Sequence, residues 1–276
     1  MGMKLKELLD DVLSRDELQF LVRAYDLLGD IIILVIPEEL EKRENEIASA
    51  ILAHNHRIKV VAKRAAIYGG EFRRRPIKII GGEIRRETEV REFGIRLRLN
   101  VEDVYFSARS GNERKRISSL VRQGENVLVL FSGIGPYPLM ISKYSGAKHI
   151  VGIEKNPIAH EYGLLNVELN KKLNNIELIQ GDVKEIMPLL TAEFDRIIMP
   201  LPKSAGDFVD SVLPFVQLGG CLHFYDMQLL GFFEESVAKI SAACEQAGRV
   251  LLRTNVATCG HCGPNTYRIC VDALID

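Results

Sequence analysis

The sequence has few cysteines, no long apolar run and no recognisable targeting segment, and these absences narrow the kinds of protein it can encode. The longest apolar run, Ile31–Ile36, has the length of a β-strand, whereas a membrane-spanning helix needs roughly 20 apolar residues. The amino terminus carries acidic residues and no cleavage site, which argues against a signal or transit peptide. The 5 cysteines favour reduced thiols over a disulfide framework. We therefore expect a cytoplasmic monomer that has no contact with a membrane.

Acidic and basic residues are unevenly distributed, although the formal net charge of the 276-residue chain is only -1. Between His56 and Arg122 there are 18 Lys and Arg residues against 8 Asp and Glu residues. Many of the basic residues are arginines, whose planar guanidinium groups bind phosphate through paired hydrogen bonds. The excess indicates either a charged, solvated surface or a region that binds a polyanion, and the arginine content favours RNA.

The sequence pattern of residues 1–122 predicts a small, basic, RNA-facing α+β module. Leucines and valines recur at helical spacing over residues 4–28. A second helix is expected over residues 38–53, and the apolar strand Ile31–Ile36 lies between the two helices. From residues 56–100, short alternating segments separated by glycine pairs indicate the strands of a small sheet.

After Gly124 the pattern changes to a regular alternation of strands and helices. Apolar strands that alternate with helices indicate a doubly wound parallel sheet with helices on both faces. The last two strands have no helix between them, which indicates the terminal hairpin that is usual in methyltransferase-type sheets. We therefore predict a class I (Rossmann-like) α/β domain over residues 123–276. The expected strands are 126–131, 149–154, 176–180, 194–199, 220–226, about 249–256 and about 266–274.

A glycine-containing turn and two acidic residues lie where the first three strands of this sheet are expected to end. The segment FSGIGP follows the first strand, and its residues Gly133 and Gly135 would let the backbone approach a ligand closely. Glu154 ends the second strand, where an acid can accept hydrogen bonds from ribose hydroxyls. Asp182 follows the third strand, where it can accept a hydrogen bond from an adenine amino group. Together these residues predict a nucleoside-containing cofactor.

The third position of the turn distinguishes between two such cofactors. Dinucleotide-binding turns carry a third glycine, whereas this chain has Pro138 at that position. This difference favours S-adenosyl-L-methionine over NAD, and we assign Phe131, which ends the first strand, to the same site. The alternative interpretation is that these are tight-turn glycines and surface acids.

The segment MPLPKSA, residues 199–205, follows the fourth strand. Many methyltransferases hold the target base at this position in a short proline-containing loop. Pro200 and Pro202 would stiffen the loop and present carbonyl groups without competing amides. We assign Pro200 to the cofactor side and Pro202 to the substrate side. A plain strand-to-helix turn near Lys203 or Ser204 is the alternative.

Longer segments of the chain resemble one known family. From GGEFRRRP, through REFG, VYFS and NER, to FSGIGP and MPLPKSA, the sequence is similar to the archaeal and eukaryotic tRNA (guanine-37 N1)-methyltransferases. The relatives of these enzymes, the wybutosine-pathway aminocarboxypropyltransferases, share the architecture. The resemblance covers residues 65–275 and implies tRNA as the partner and S-adenosyl-L-methionine as the cofactor. It also implies methyl transfer to N1 of guanine at tRNA position 37.

The resemblance further implies roles for individual side chains. Glu113 matches the general base that removes the N1 proton of guanine. Arg73 matches the arginine that stabilises negative charge on the guanine O6, with Arg74 or Arg75 as alternative matches. A weakly acidic ring N–H requires a base and an electrophilic partner of this kind. Two further residues match positions near the target base: Tyr105 and Arg109. Taken without the family, Glu113 would be an exposed helix residue that pairs with Arg116 or Arg109.

Two features depart from the pattern of the guanine methyltransferases. Their loop after the fourth strand begins with asparagine, whereas this chain has Pro200, which has no hydrogen-bonding group in its side chain. We also expect this chain to lack their additional amino-terminal tRNA-binding domain, as the aminocarboxypropyltransferases do. Those relatives, however, lack the Leu-Pro-Lys loop that this chain has. Aminocarboxypropyl transfer and a non-catalytic RNA-binding role therefore stay as alternatives to methylation.

The segment CGHC, residues 259–262, contains two cysteines and a histidine, which amount to half of a zinc site. The sequence has no second such pair, and Gly263 and Pro264 indicate a turn directly after the segment. We therefore expect a plain loop between the last two strands and assign no metal. A structural zinc site and a redox pair are the alternatives.

Overall fold

The chain divides into two compact units. The computed structural model describes residues 4–66, 69–202 and 205–276. Unit 1 runs to Arg91 and also contains Arg96–Ala108. Unit 2 comprises Glu92–Ile95 and Arg109–Asp276. Residues 109–122, which the sequence pattern grouped with the first module, are therefore part of the second unit.

Unit 1 contains a four-stranded sheet that packs against one main helix. Its elements are α1 (Leu5–Leu8), α2 (Arg15–Leu18), β1 (Tyr25–Leu28), β2 (Ile31–Leu34), a 3₁₀ segment (Glu38–Arg43), α3 (Glu44–His54), β3 (Val60–Arg64) and β4 (Ile77–Gly82). The strand order is β1-β2-β3-β4, in which β2 and β3 are parallel and the outer pairs are antiparallel. Fully buried Ile47 and Ile51 of α3 share a core with Ile32 of β2 and Val61 of β3.

The helix predicted over residues 4–28 is wrong beyond its first turns. Ser14 begins a separate short helix: its hydroxyl accepts a hydrogen bond from the Glu17 amide, and the Glu17 carboxylate accepts one from the Ser14 amide. Such a capping box marks a helix start. Strand β1 then pairs with β2 through a turn at Gly29, whose φ is +56°. The apolar residues that fit one helical period are thus divided among three shorter elements.

A β-hairpin follows the four-stranded sheet. Its strands are β5 (Glu87–Glu92) and β6 (Ile95–Asn100), and the tip between them consists of Phe93 and Gly94, which both have positive φ. Two consecutive left-handed residues match the right-handed twist of the paired strands. The strands expected between residues 56 and 100 are therefore present as β3 to β6.

Unit 2 is built on a seven-stranded sheet. Its helices are α4 (Gly111–Leu120), α5 (Pro136–Tyr144), α6 (Pro157–Leu169), α7 (Val183–Ile186), α8 (Val209–Val212) and α9 (Glu234–Gln246). Its strands are β7 (Asn126–Leu130), β8 (His149–Glu154), β9 (Ile176–Gln180), β10 (Phe194–Met199), β11 (Val216–Leu229), β12 (Leu251–Gly263) and β13 (Thr266–Ile275). The order is β12-β13-β11-β10-β7-β8-β9; β13 is antiparallel to both neighbours and the strands from β11 to β9 are parallel. This topology confirms the Rossmann-like α/β sheet with a terminal hairpin.

The last two strands are longer than predicted, and the loop predicted at CGHC is wrong. Strand β12 includes this segment and pairs with β13 as far as Gly263. The pairing has irregularities between Thr258 and Gly260 and between His261 and Gly263. Bulges of this kind interrupt the alternation of side chains that identifies a strand in a sequence. The predicted turn lies after them, where Asn265 has a φ of +53°.

The helices of the described residues are short, and the longest, α6 and α9, have 13 residues each. Helix α7 ends at Ile186 and is followed directly by a 3₁₀ turn, Met187–Leu189. Within the described parts of the chain, no helix is long and apolar enough to cross a bilayer.

Candidate active site

The turn after β7 holds the backbone in left-handed conformations at three positions. Phe131, Gly133 and Gly135 have φ values of +54°, +57° and +82°. Gly135 directly precedes α5, and Pro136 takes the first helical position, where the missing amide costs no helix hydrogen bond. Phe131 bears strain that a glycine would not, and its ring packs edge-on against Phe208 with the centroids 5.0 Å apart. The result is a tight turn at the carboxyl end of a central strand.

Helix α6 packs closely against this turn. A Cβ atom on Gly163 would lie 2.9 Å from Leu178 Cδ1 and 3.5 Å from the Gly133 carbonyl oxygen, so only a glycine allows this approach without a shift. The fully buried Asn166 donates a hydrogen bond from Nδ2 to the Ile134 carbonyl at 3.0 Å. Neither Gly163 nor Asn166 was assigned from the sequence, because single glycines and asparagines within a helix carry no chemical signature.

Backbone amides bind both carboxylate oxygens of Glu154, at the end of β8. Gly133 N donates to Oε2 and Asn156 N donates to Oε1, each at 2.7 Å. Burial raises the pKa of Glu154, and hydrogen bonds from the surrounding amides oppose that rise. Since a carboxylate offers about four lone-pair positions, both oxygens can accept further hydrogen bonds from a pair of hydroxyl groups. The geometry therefore fits the ribose-binding role predicted for Glu154.

Asp182 lies after β9 and caps the amino terminus of α7. Its Oδ1 accepts a hydrogen bond from the Lys184 amide at 2.8 Å. Its Oδ2 lies 2.7 Å from Lys155 Nζ. The hydrogen bond from Lys155 is the main reason that the pKa of Asp182 is lowered, with the Lys184 amide adding to the effect. Asp182 is therefore an ionised acceptor at the same edge of the sheet as Glu154.

The proline-containing segment follows β10 at this edge. Pro200 and Leu201 are partly buried, and Pro202 is buried. Leu201 N donates a hydrogen bond to the Met199 carbonyl at 2.8 Å, which closes a tight turn directly after the strand. Residues 203 and 204, where the alternative interpretation placed a helix start, lie outside the described residues.

Glu113, on α4, is buried, so the alternative interpretation as an exposed helix residue is wrong. Only 7% of the residue is exposed. Arg116 donates from Nε to Oε2 and from Nη2 to Oε1, each at 2.8 Å. The Tyr225 hydroxyl donates to Oε1 at 2.6 Å, and it accepts a hydrogen bond from the Tyr137 hydroxyl at 3.0 Å. The sequence offered Arg116 and Arg109 as alternative partners of Glu113, whereas tyrosines within apolar segments give no signal of this contact.

The other two arginines near Glu113 in the sequence have different surroundings. Arg114 is buried and binds Glu92 of the REFG segment at two points, with Nε 2.7 Å from Oε1. A Cβ atom on Gly111 would lie 2.8 Å from Glu92 Oε2, which explains a glycine at the start of α4. Arg109 is exposed. Within unit 2, the REFG tip and α4 are therefore joined by a buried ion pair.

Arg116 continues into a chain of buried and partly buried polar groups across the sheet. Its Nη1 and Nη2 donate to Asp272 Oδ2 at 2.7 Å and Oδ1 at 3.1 Å. His223 Nδ1 lies 2.6 Å from Asp272 Oδ1, and His223 Nε2 lies 2.6 Å from Arg196 Nη1. Because a guanidinium can only donate, Nε2 is the acceptor and Nδ1 carries the proton given to Asp272. Arg196 Nε donates in turn to Glu125 at 2.7 Å.

Among the described residues, no cluster of three possible metal ligands includes Cys259, His261 or Cys262. Cys259 is partly buried, which raises its pKa to about 12, and Cys262 is exposed. Instead, His223, Cys270 and Asp272 place possible ligand atoms within 4.8 Å of one another. Guanidinium groups already bind the histidine nitrogen and the carboxylate oxygens of this group. The donor set therefore fits an ionic network better than a metal ion.

In unit 1, Arg73 and Tyr105 are in contact. The Arg73 guanidinium lies over the Tyr105 ring, 4.2 Å from its centroid, an attractive arrangement. Arg73 has a φ of +51°, which is uncommon for a residue with a side chain. Arg75 is buried and pairs with Asp26 at 2.7 Å, and Arg74 is exposed. Among the three candidate arginines, Arg73 therefore lies beside another predicted substrate residue, Tyr105.

The fold and the edge residues of unit 2 define a class I methyltransferase domain: a parallel sheet with an antiparallel terminal hairpin, a glycine turn after β7 and acids after β8 and β9. Residues 88–252 match the family model of the TRM5/TYW2 methyltransferase domain, and residues 5–85 match that of the TYW2 N-terminal domain. The chain belongs to the TRM5/TYW2 family, which confirms the resemblance found in the sequence.

Individual relatives fall into both branches of this family. The tRNA (guanine(37)-N(1))-methyltransferase Trm5b of Pyrococcus abyssi is 39% identical over 207 residues, or 75% of this chain and 61% of that protein. A tRNA(Phe) (4-demethylwyosine(37)-C(7)) aminocarboxypropyltransferase of Methanocaldococcus jannaschii is 29% identical over 253 residues, or 91% of this chain and 98% of that protein. The crystal structure of Pyrococcus abyssi Trm5b matches with a TM-score of 0.86 and 33% identity, and the match covers 96% of this chain and 78% of that one.

Proposed function

We propose that this protein transfers a methyl group from S-adenosyl-L-methionine to N1 of a guanine at position 37 of tRNA. The observation that carries the proposal is the Glu154 carboxylate, which the Gly133 and Asn156 amides fix at the end of β8. An acid held in this way beside a glycine turn suits the ribose of a nucleoside cofactor. Family membership, and 39% identity to a guanine-37 methyltransferase, support the choice of reaction.

The cofactor-binding residues divide by the part of the ligand that each suits. Glu154 would accept hydrogen bonds from the ribose hydroxyls, and Asp182 would accept one from the adenine amino group. Gly133 and Gly135 leave room at the turn for the amino-acid part. Two further residues border the same edge of the sheet: Phe131 and Pro200. When bound, S-adenosyl-L-methionine supplies an electrophilic methyl group on a sulfonium.

The substrate-side residues act on the guanine ring. Glu113 would accept the proton that leaves N1, and Arg73 would stabilise negative charge on O6. The contact with the Tyr105 ring holds the Arg73 guanidinium in place, and a charge fixed in advance stabilises a developing anion best. Two further residues would contact the target nucleotide: Arg109 and Pro202. These roles come from the resemblance to the family, and the partner that they imply is tRNA.

Transfer of the aminocarboxypropyl group from the same cofactor is the second candidate. Residues 5–85 match a TYW2 N-terminal domain, and the chain covers 98% of a curated aminocarboxypropyltransferase. Pro200 also lacks the side-chain amide that the guanine methyltransferases have at this position. These observations favour aminocarboxypropyl transfer, whereas the higher identity to Trm5b and the Leu-Pro-Lys loop favour methylation.

Two differently labelled cofactors distinguish the candidates. The chain is incubated with unmodified tRNA, or with tRNA(Phe) that carries 4-demethylwyosine at position 37, and with S-adenosyl-L-methionine labelled either in the methyl group or in the carboxyl group. Methylation transfers only the methyl label, and mass spectrometry then identifies N1-methylguanosine at position 37. Transfer of the carboxyl label alone would establish the second candidate, and transfer of neither label from a chain that binds both ligands would leave an RNA-binding role. We expect a monomer that acts in the cytoplasm, and light scattering of the purified chain measures its oligomeric state.

A further inference from the structure

The carboxylate of Glu113 is held by two unlike donors within unit 2. Arg116 binds both of its oxygens, and Tyr225 adds a hydrogen bond of 2.6 Å to Oε1. The Tyr225 side chain belongs to β11 and is 2% exposed. A base that is almost fully enclosed can meet its substrate only in the direction that its surroundings leave free. The donors around Glu113 therefore decide which way its carboxylate faces.

The hydroxyl proton of Tyr225 is committed to Glu113. Tyr137 donates its own proton to the Tyr225 oxygen at 3.0 Å. Since a phenol has one proton to donate, the remaining proton of the pair is that of Tyr225, which points at Oε1. Burial holds the pKa of Tyr225 well above its usual value, so the hydroxyl stays protonated throughout the neutral range. The contact therefore persists at every pH at which the enzyme would be assayed.

Arg116 is fixed on its far side as firmly as on the side of Glu113. Two of its N–H groups bind Glu113 and two bind Asp272, which is itself held by His223. A planar guanidinium bound to carboxylates on two edges has no freedom to turn. Cys259 of β12 is also close to Glu113, whose carboxylate adds to the rise in the pKa of that thiol caused by burial. Strands β11, β12 and β13 all contribute to the surroundings of this one carboxylate.

We propose that Tyr225 is a positioning residue for Glu113: with Arg116, it fixes the carboxylate in the orientation in which it accepts the substrate proton. The proposal rests on the proposed function, in which Glu113 is the base. Tyr225 itself exchanges no proton with the substrate. Its contribution is to the rate of the chemical step, and it adds nothing to the binding of tRNA or cofactor.

The test replaces Tyr225 with phenylalanine, which keeps the ring and removes the hydroxyl. In Tyr225→Phe, kcat for tRNA methylation should fall about 10- to 100-fold, since a hydrogen bond to a charged acceptor is lost. The KM for tRNA and the Kd for S-adenosyl-L-methionine should stay within about twofold of the wild type. In Tyr137→Phe the hydrogen bond to Glu113 is kept, so the loss in kcat should be smaller.

Tyr144→Phe is the matched control. The Tyr144 hydroxyl also makes a hydrogen bond of 2.6 Å, but its acceptor is the Phe93 carbonyl and not Glu113. Wild-type kcat in Tyr144→Phe together with a loss confined to Tyr225→Phe would support the proposal. Equal losses in both variants, a wild-type kcat in Tyr225→Phe, or a Tyr225→Phe effect on KM alone would overturn it.

A structural measurement separates this proposal from the proposed function. If the wild-type chain binds S-adenosyl-L-methionine but transfers nothing to tRNA, the proposed function fails. The positioning of Glu113 is then judged from crystal structures of the wild type and Tyr225→Phe. A carboxylate that turns away from Arg116 in the variant supports the role of Tyr225, and one that keeps its place overturns it. The same structures establish whether the Tyr225→Phe variant is misfolded.

Discussion

The two units of this chain use charged side chains in different ways. In unit 1, the pair Arg96–Glu89 lies at the surface, with 44% and 28% of the side chains exposed. In unit 2, the fully buried His223 lies between Arg196 and Asp272. Exposed ion pairs contribute little to stability and are screened by salt, whereas a buried charge that loses its partner is costly. Unit 1 therefore has arginines that can exchange partners, whereas unit 2 uses charge to hold side chains in place.

The difference changes the meaning of the basic segment seen in the sequence. Several of its arginines bind acids of the same unit, as Arg85 does with Asp30 and Arg86 with Glu102. The excess of positive charge is thus partly neutralised where it lies. At the other end of the segment, Arg114 and Arg116 belong to unit 2 and are buried or half-buried in ion pairs. The arginines of the basic segment therefore lie partly on the surface of unit 1 and partly in the interior of unit 2.

The largest expected effect tests whether a buried charge of unit 2 takes part in chemistry. Glu113→Gln keeps the size of the side chain but removes the proton acceptor, so turnover should fall by about 10²–10⁴. Cofactor and tRNA affinities should change little, because the amide can still be held by Tyr225. Single-turnover methylation assays give the rate, and Glu89→Gln in unit 1 is the matched control. Full activity of Glu113→Gln would exclude Glu113 as the base.

The next prediction concerns stability. Asp272→Asn removes the charge that pairs with Arg116 and His223, and we expect a loss of about 3–5 kcal/mol in the free energy of unfolding. Glu89→Gln, which breaks an exposed pair, should cost less than about 1 kcal/mol. Urea denaturation of both variants gives the comparison. Similar small losses in the two variants would contradict the distinction between the units.

The stability from Asp272 should also depend on pH. Burial opposes ionisation, but hydrogen bonds from His223 and Arg116 outweigh it and hold the pKa of Asp272 below its usual range. A group of this kind contributes stability above its pKa in the unfolded chain, and the contribution is lost as the pH falls through the folded pKa. The wild type should therefore lose more stability than Asp272→Asn between neutral and strongly acidic pH.

A smaller effect is expected at the cofactor site, where the acid is bound by amides instead of by charged partners. Glu154→Ala should weaken S-adenosyl-L-methionine binding by about 1.5–3 kcal/mol, the contribution of hydrogen bonds to a charged acceptor. Burial raises the pKa of Glu154. As the pH falls, the affinity of the wild type for S-adenosyl-L-methionine should therefore begin to decrease at a higher pH than it would if Glu154 had the pKa of an ordinary glutamate. Calorimetry at several pH values measures both effects. Tight binding of NADH with no binding of S-adenosyl-L-methionine would contradict the assignment.

The sequence predicted the parts of the molecule in which a local pattern has a single structural meaning. The glycine turn and the acids Glu154 and Asp182 follow apolar strands, and parallel topology brings their ends to one edge. The contacts of Glu113 with Tyr225 and Cys259 could not be predicted, because they depend on strand register over more than 100 residues of chain. The helix predicted over residues 4–28 failed for a related reason: one apolar period was compatible with three shorter elements.

The smallest expected effect tests whether arginines of unit 1 that are paired with acids are prevented from binding RNA. Arg74 is exposed, whereas Arg85 donates to Asp30, Glu83 and the Glu87 carbonyl. The slope of log K against log salt is negative, and removal of one arginine that binds phosphate makes it less steep by about one. Arg74→Ala should therefore reduce the slope for tRNA, and Arg85→Ala should leave it nearly unchanged. Filter-binding assays over a range of salt concentrations measure both slopes, with Kd for S-adenosyl-L-methionine as the control. Equal reductions would mean that the paired arginines exchange their acids for phosphate on binding, and two unchanged slopes would exclude this part of unit 1 from the RNA-binding surface.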